Sequence, residues 1–189
     1  MNETRFPLLG EALALDLVNT RVCRGGVEVD LLDEPHALVA WLWAESERLA
    51  WSGPVEMSDL TKVCSLRDAM DELFHGLRVD ERPSVSAVET LNEALSNPGA
   101  QPCISWERSG PQLVAPPVGS ERAALLHVLA VDAVAVMTGP RAERIRECAH
   151  PNCRLQFVAN NPRRRWCSDA LCGNRARVAR HYSRQRGKG

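Results

Sequence analysis

At 189 residues, with 44% hydrophobic and 25% charged side chains, the chain has room for one self-supporting core of about 130 to 140 residues plus a small satellite. Its formal charge of −1 conceals two opposite parts: residues 141–189 hold thirteen Arg or Lys against Glu143, Glu147 and Asp169, a surplus of +10, which leaves −11 on the remainder. No run approaches the roughly 18 apolar residues of a membrane helix and no secretory hydrophobic segment is visible, so a soluble cytoplasmic protein is expected, with cysteines serving as metal ligands or buried thiols.

Leu9 to Val22 reads L-G-E-A-L-A-L-D-L-V-N-T-R-V. Leu13, Leu15 and Leu17 alternate as in a strand, whereas Leu9, Leu13 and Leu17 fit one helix face, and periodicity leaves both open. Asp16, Asn19, Thr20 and Arg21 form a polar cluster at its end. They are either a candidate small-molecule pocket or ordinary caps and turn formers. Pro35 then opens a helix with Leu38, Trp41, Leu42 and Leu49 on its apolar face, ended by Gly53-Pro54. Ser58 is the expected N-cap of a helix to about Arg78, on which Leu60, Val63, Cys64, Arg67, Met70, Phe74 and Leu77 fall near i, i+3, i+4 spacing. Pro83-Ser84 restarts a helix through Val85, Val88, Leu91 and Leu95, which Asn97-Pro98-Gly99 stops. Two alternating runs, 103–107 and 112–115, flank Arg108-Ser109-Gly110-Pro111 and predict a β-hairpin that Pro116-Pro117 ends. Ser120-Glu121 starts a strongly apolar helix, Ala123 to Met137, the expected core of the body, with His127 as a core or boundary histidine. Gly139-Pro140 divides a body, 1–140, from a C-terminal module, 141–189.

That module carries the chemistry. Cys148 and Cys153 form one C-x4-C pair, Cys167 and Cys172 another, with residues 154–166 between them. Two equal pairs at this separation can close a tetrahedron around a single structural zinc, and four thiolates favour that metal. Ile145 and Phe157 are expected on two short strands beside the first pair, and Trp166 on the small core. Ser168 is the expected N-cap of a helix from about Asp169. Leu171, Val178 and Tyr182 would form an apolar stripe packing back on the knuckles, while Arg177, Arg180 and Arg184 share another face. Arg163, Arg164 and Arg165 extend the positive surface. A metal-anchored helix with an arginine face presents cations to a polyanion. Asn174 and Arg175 could read a base edge or clamp a phosphate; alternatively Asn174 bonds the knuckle and Gly173 permits close packing.

The string R-R-W-C-S-D-A-L-C-G-N-R, Arg164 to Arg175, resembles the signature of the CGNR zinc-finger family. The usual aspartate and small hydroxyl residue after the phenylalanine are replaced here, in Phe157-Val158-Ala159-Asn160-Asn161. Leu13 to Thr20, with Asp30-Leu31-Leu32 and Trp41-Leu42, resembles the opening of ABATE domains. The resemblance implies a bacterial stress-related transcription regulator with an N-terminal ABATE domain that senses a small molecule or stress signal.

The expected architecture is α+β: a mostly helical N-terminal domain with a small β-hairpin, then a small ββα-type zinc finger. No phosphate-cradling glycine loop, nucleophile elbow or H-E-x-x-H is present, so an enzyme is not expected. The expected function is DNA-binding transcription regulation by the finger. A zinc-dependent protein-interaction adaptor, docking on an acidic partner or on the chain's own acidic body, and a thiol redox sensor are the alternatives.

Overall fold

The computed structural model describes residues 5–96, 103–114 and 120–186. The fold is α+β, predominantly helical with three two-stranded antiparallel sheets among the described residues. The ambiguous leucine run is a helix, α1 (Leu13–Val18), and all six of its residues are buried. A helix buried on every side has no polar face, which is why its period could not be read. It packs on α3 (Met57–Val79) and α5 (Glu121–Thr138), with α2 (Pro35–Ala44) and α4 (Val85–Ser96) completing the helical body.

Several boundaries follow local chemistry that the sequence reading placed elsewhere. Helix α2 stops at Ala44 rather than at Gly53, although Leu49 beyond it stays buried. Helix α3 is capped by Glu56, whose side chain and that of Asp59 form a reciprocal capping box one turn around the expected Ser58. Ser120 caps α5 as expected, its Oγ accepting from the Ala123 amide at 3.2 Å. His127 is half-buried and its Nδ1 lies 3.0 Å from the Leu95 carbonyl, a satisfied boundary histidine. The hairpin β3 (Cys103–Glu107) and β4 (Gly110–Val114) forms in the expected place. The stops assigned to Asn97-Pro98-Gly99 and Pro116-Pro117 lie outside the described residues.

A second hairpin, β1 (Arg21–Arg24) and β2 (Val27–Asp30), went unread. Its signal was a two-residue Gly25-Gly26 loop between short alternating runs. Both glycines have positive φ, 60° and 85°, as a tight primed turn requires. Opposite Arg21, the hairpin ends in Asp30, which accepts two 2.7 Å bonds from the fully buried Arg67 guanidinium. Those bonds hold the Asp30 carboxyl below its usual range against a burial effect that pushes the other way.

After α5 the chain makes a 3-10 turn and forms β5 (Ile145–Glu147) and β6 (Gln156–Val158), paired antiparallel. A π turn (Asp169–Gly173) then leads into α6 (Asn174–Arg186). Although the charge changes sign at this junction, the core does not stop there. Ile145, Leu155, Phe157 and Val158 belong to the same buried cluster as Leu17, Phe74 and Leu129.

The seam is held by an amide acting as a strand. Buried Asn19 donates from Nδ2 to the Gln156 carbonyl at 2.9 Å and accepts at Oδ1 from the Gln156 amide at 2.7 Å. Two residues on, the Val158 amide donates to Glu11 at 3.0 Å. The outer edge of β6 is thereby satisfied by body side chains, which a buried edge demands. Charges reinforce it: Arg154 pairs with Asp71 and Glu28, Arg164 with Glu11, and Arg78 with Glu147.

Asn19→Ala leaves both backbone groups of Gln156 buried and unpaired, at about 1–3 kcal/mol of destabilisation for a group so left. Thermal unfolding of Asn19→Ala should fall by several degrees, whereas alanine at the exposed Ser86 should leave the midpoint near that of the unsubstituted chain.

Candidate metal centre and arginine helix

The four cysteines arrive from different elements. Cys148 follows β5 and Cys153 precedes β6, and their loop closes through Cys148 N–H to the Leu155 carbonyl (2.9 Å) and Cys153 N–H to the His150 carbonyl (3.0 Å). Cys167 is joined to the first pair by its amide, which donates to Cys148 Sγ at 3.4 Å. Cys172 is set by the π turn, where Ser168 Oγ accepts from the Leu171 amide at 3.4 Å, the capping role expected of it. The glycine after it sits in a tight place: a Cβ on Gly173 would stand 3.0 Å from Asp169 Oδ1 and 3.3 Å from the Trp166 ring.

All four sulfurs lie within 4.8 Å of one another, and Cys153 and Cys167 are 3.8 Å apart. A tetrahedron with zinc–sulfur bonds of about 2.3 Å has edges of about 3.8 Å, so this donor set fits zinc in chemistry and size. The thiols also compete for protons. Hydrogen bonds from Cys153 and then Cys167 hold Cys148 far below the usual thiol range, while its bond to Cys148 pushes Cys153 up to about 12. Cys167 is driven up by its neighbours and Cys172 by burial. Four acidic groups packed this closely cannot all ionise unless a cation joins them. Backbone N–H groups of His150 and Leu155 already point at Cys148 and Cys153, orienting the donors. His150 stays outside the set, its Nδ1 accepting instead from the Asn152 amide.

The remaining site residues fall into two groups. Arg163, Arg165, Asn174, Arg175, Arg177 and Arg180 are exposed. Arg165 stacks 5.5 Å over Trp166, and Arg177 and Arg180 donate to backbone carbonyls of Asp169 and Ala176. The Asn174 side chain has no partner among the described residues, so it does not bond the knuckle. Arg184 lies in α6, and its side chain is outside what the structure describes. Arg164 is different. It is half-buried over the Phe157 ring at 4.2 Å, pairs with Glu11, and donates to the Trp166 and Cys167 carbonyls at 3.1 and 2.6 Å. Its planar fork ties the second knuckle to the body, so this cation is occupied internally.

Two expectations are corrected. Leu171 and Val178 do not pack back on the knuckles, being 50% and 46% exposed, and the side chain of Tyr182, the third residue of that stripe, lies outside the described residues. Nor do Asp16, Asn19, Thr20 and Arg21 line a common pocket. Asp16 is buried against Arg48 at 2.6 Å, Asn19 clamps β6, Thr20 bridges the Leu17 carbonyl and Arg67, and Arg21 pairs with Asp68 at 2.9 Å. Each is consumed by the framework. Arg67, the hub of that framework, shows itself in the sequence only as a position near the apolar stripe of α3.

Two family models match the chain. A family model named ABATE and described as "Putative stress-induced transcription regulator" matches residues 11–140, and the CGNR zinc-finger model matches residues 144–185. The chain belongs to the ABATE family. No curated protein matches it. Neither family is an enzyme family by description, and no helix among the described residues is long and apolar enough to cross a membrane. The four cysteines fall inside the CGNR match, where they can hold one zinc ion.

Elemental analysis of the purified ABATE protein should give one zinc per chain, and Cys172→Ser should surrender it to a chelator at far lower concentration than the unsubstituted protein. A second prediction concerns Asp16, whose carboxyl burial pushes up to about 6, opposed by Arg48 and aided by Glu45. Its folded form therefore holds the proton more tightly than the unfolded chain, whose value is near 3.9. The resulting stabilisation is present below about pH 4 and lost as pH rises through about 6. Urea midpoints across this window should carry that downward component, and Asp16→Asn should remove it.

Proposed function

We propose that this protein is a DNA-binding transcription regulator in which the zinc-held module carries α6 into the duplex. The observation that supports this most is how carboxylates are distributed among the arginines. Arg48, Arg67, Arg78, Arg122, Arg154 and Arg164, in the body and the seam, each have an ion-pair partner. Among the described residues Arg163, Arg165, Arg175, Arg177 and Arg180 have none, and they stand together on one module, whereas the other arginines without an ion pair, Arg24, Arg82, Arg108, Arg141, Arg144 and Arg146, lie elsewhere along the chain. Cations left without carboxylates on a metal-stiffened surface suit phosphate contact. Asn174 is exposed at the start of α6 and its side chain has no partner among the described residues, which supports a role in meeting base edges.

The input comes through the body. A cavity of about 580 Å³ opens on the seam, lined by Asp71, Arg78 and Glu147 together with Arg154 and Gln156. A small effector there would bear on both modules at once, whereas one bound at Asp16 to Arg21 would have to break the framework.

Binding of the full-length, zinc-loaded protein to random duplex DNA, followed by fluorescence anisotropy at several salt concentrations, tests the reading. Affinity should fall steeply with salt, and Arg177→Ala/Arg180→Ala/Arg184→Ala should weaken it and reduce the log–log slope by about two to three. No salt-dependent binding with zinc in place would reject the reading.

A further inference from the structure

The β1–β2 hairpin of the body reaches the groove in which α6 begins. We propose that Arg24 on that hairpin, together with Arg175, grips one sugar–phosphate strand of duplex DNA while the Arg177 face of α6 meets the other. The inference rests on the reading of the finger as the DNA-binding module and extends the contact surface into the ABATE body.

A groove of about 690 Å³ lies between the N-terminal segment, the hairpin and the second knuckle. Arg5, Arg24 and Arg175 line it together with Asn152, Ser168 and Leu171, and no carboxylate does. In a body with a charge of −11, a wall that carries Arg5 and Arg24 and no acid, facing Arg175 of the module, is a local reversal of sign. Arg5 is held by Asp33 at 2.7 Å. Arg24 and Arg175 are exposed and have no ion-pair partner among the described residues. Glu28, the acid nearest Arg24 on the opposite strand, is drawn away to Arg154. At the hairpin tip, a Cβ on Gly25 or Gly26 would meet nothing within 4 Å, so the tip stands clear of the protein and can approach a strand.

Helix register supplies the second argument. At about 100° per residue, Arg175 falls on roughly the opposite side of α6 from Arg177, Arg180 and Arg184. A helix about 10–12 Å wide lying in a major groove about 12 Å wide has one phosphate strand along each flank. The triad can serve only one flank. Arg175 begins the other, and Arg24, from a different module across the same groove, continues it. Both modules would then hold the duplex, and because they share one core they would hold it at a fixed angle.

The test uses the full-length, zinc-loaded protein and a random duplex, with Arg24→Ala and Arg24→Glu compared with Arg108→Glu, an equal charge change on the exposed β3–β4 turn. Thermal melting should not distinguish Arg24→Ala from the unsubstituted chain, since the side chain is exposed and unpaired. Arg24→Ala should weaken binding about fivefold and lower the log–log salt slope by about one, and Arg24→Glu should weaken it more than tenfold, with Arg108→Glu close to the unsubstituted protein. Should Arg24→Glu bind like Arg108→Glu while the α6 triple variant loses affinity, the hairpin has no part and the finger reading stands alone. An unsubstituted protein that binds no DNA at low salt overturns both.

Discussion

The outer edge of β6 is the constraint from which the rest of the architecture follows. A strand of three residues pressed into a core cannot leave its free amides and carbonyls unpaired, and among the described residues no further strand pairs with its outer edge. Asn19 supplies the missing peptide group in both senses, donor and acceptor, and Glu11 supplies the next acceptor. Because these bonds come from α1 and the segment before it, the metal-binding module is built onto the first helix of the body. A zinc site of this size often stands alone on its metal; this one shares a core with its neighbour, and Phe157 is completely buried by that arrangement.

Charge is organised by the same seam. The acidic body and basic module meet through a few well-placed pairs, Arg154 with Asp71 and Arg164 with Glu11. Partly buried pairs of this kind set orientation more than they add stability. Among the described residues, Arg163, Arg165, Arg175, Arg177 and Arg180 have no ion-pair partner.

Much of the metal site was legible because ligand spacing is a local property. Two C-x4-C pairs, a capping serine and a helix of arginines declare themselves without tertiary information, and the family strings pointed the same way. Four helices of the body, α2 to α5, were legible in approximate position for the same reason, whereas α1 could not be told from a strand. What could not be read was how side chains far apart in sequence would use one another. Asp16, Asn19, Thr20 and Arg21 could be either a pocket or ordinary caps and turn formers from the sequence; their partners lie at Arg48, Gln156, Arg67 and Asp68, which no spacing rule connects. Leu171 and Val178 misled in the opposite way, since an apolar stripe says that a helix has a face but not what covers it. Arg164 sat in a run of three arginines, and only the fold separates it from its two neighbours.

The central claim is that zinc and the seam together aim α6 at DNA. The most direct measurement is the anisotropy of a labelled duplex titrated with the full-length protein, before and after zinc is withdrawn by a chelator and then restored. Affinity should collapse on removal and return on restoration, because Cys172, at the start of the helix, would be one of the four residues that hold the metal. Affinity unchanged by chelation, with zinc shown to be gone, would contradict it: the arginines would then be acting as a loose charged tail, and neither the metal nor the docking on β6 would matter to binding.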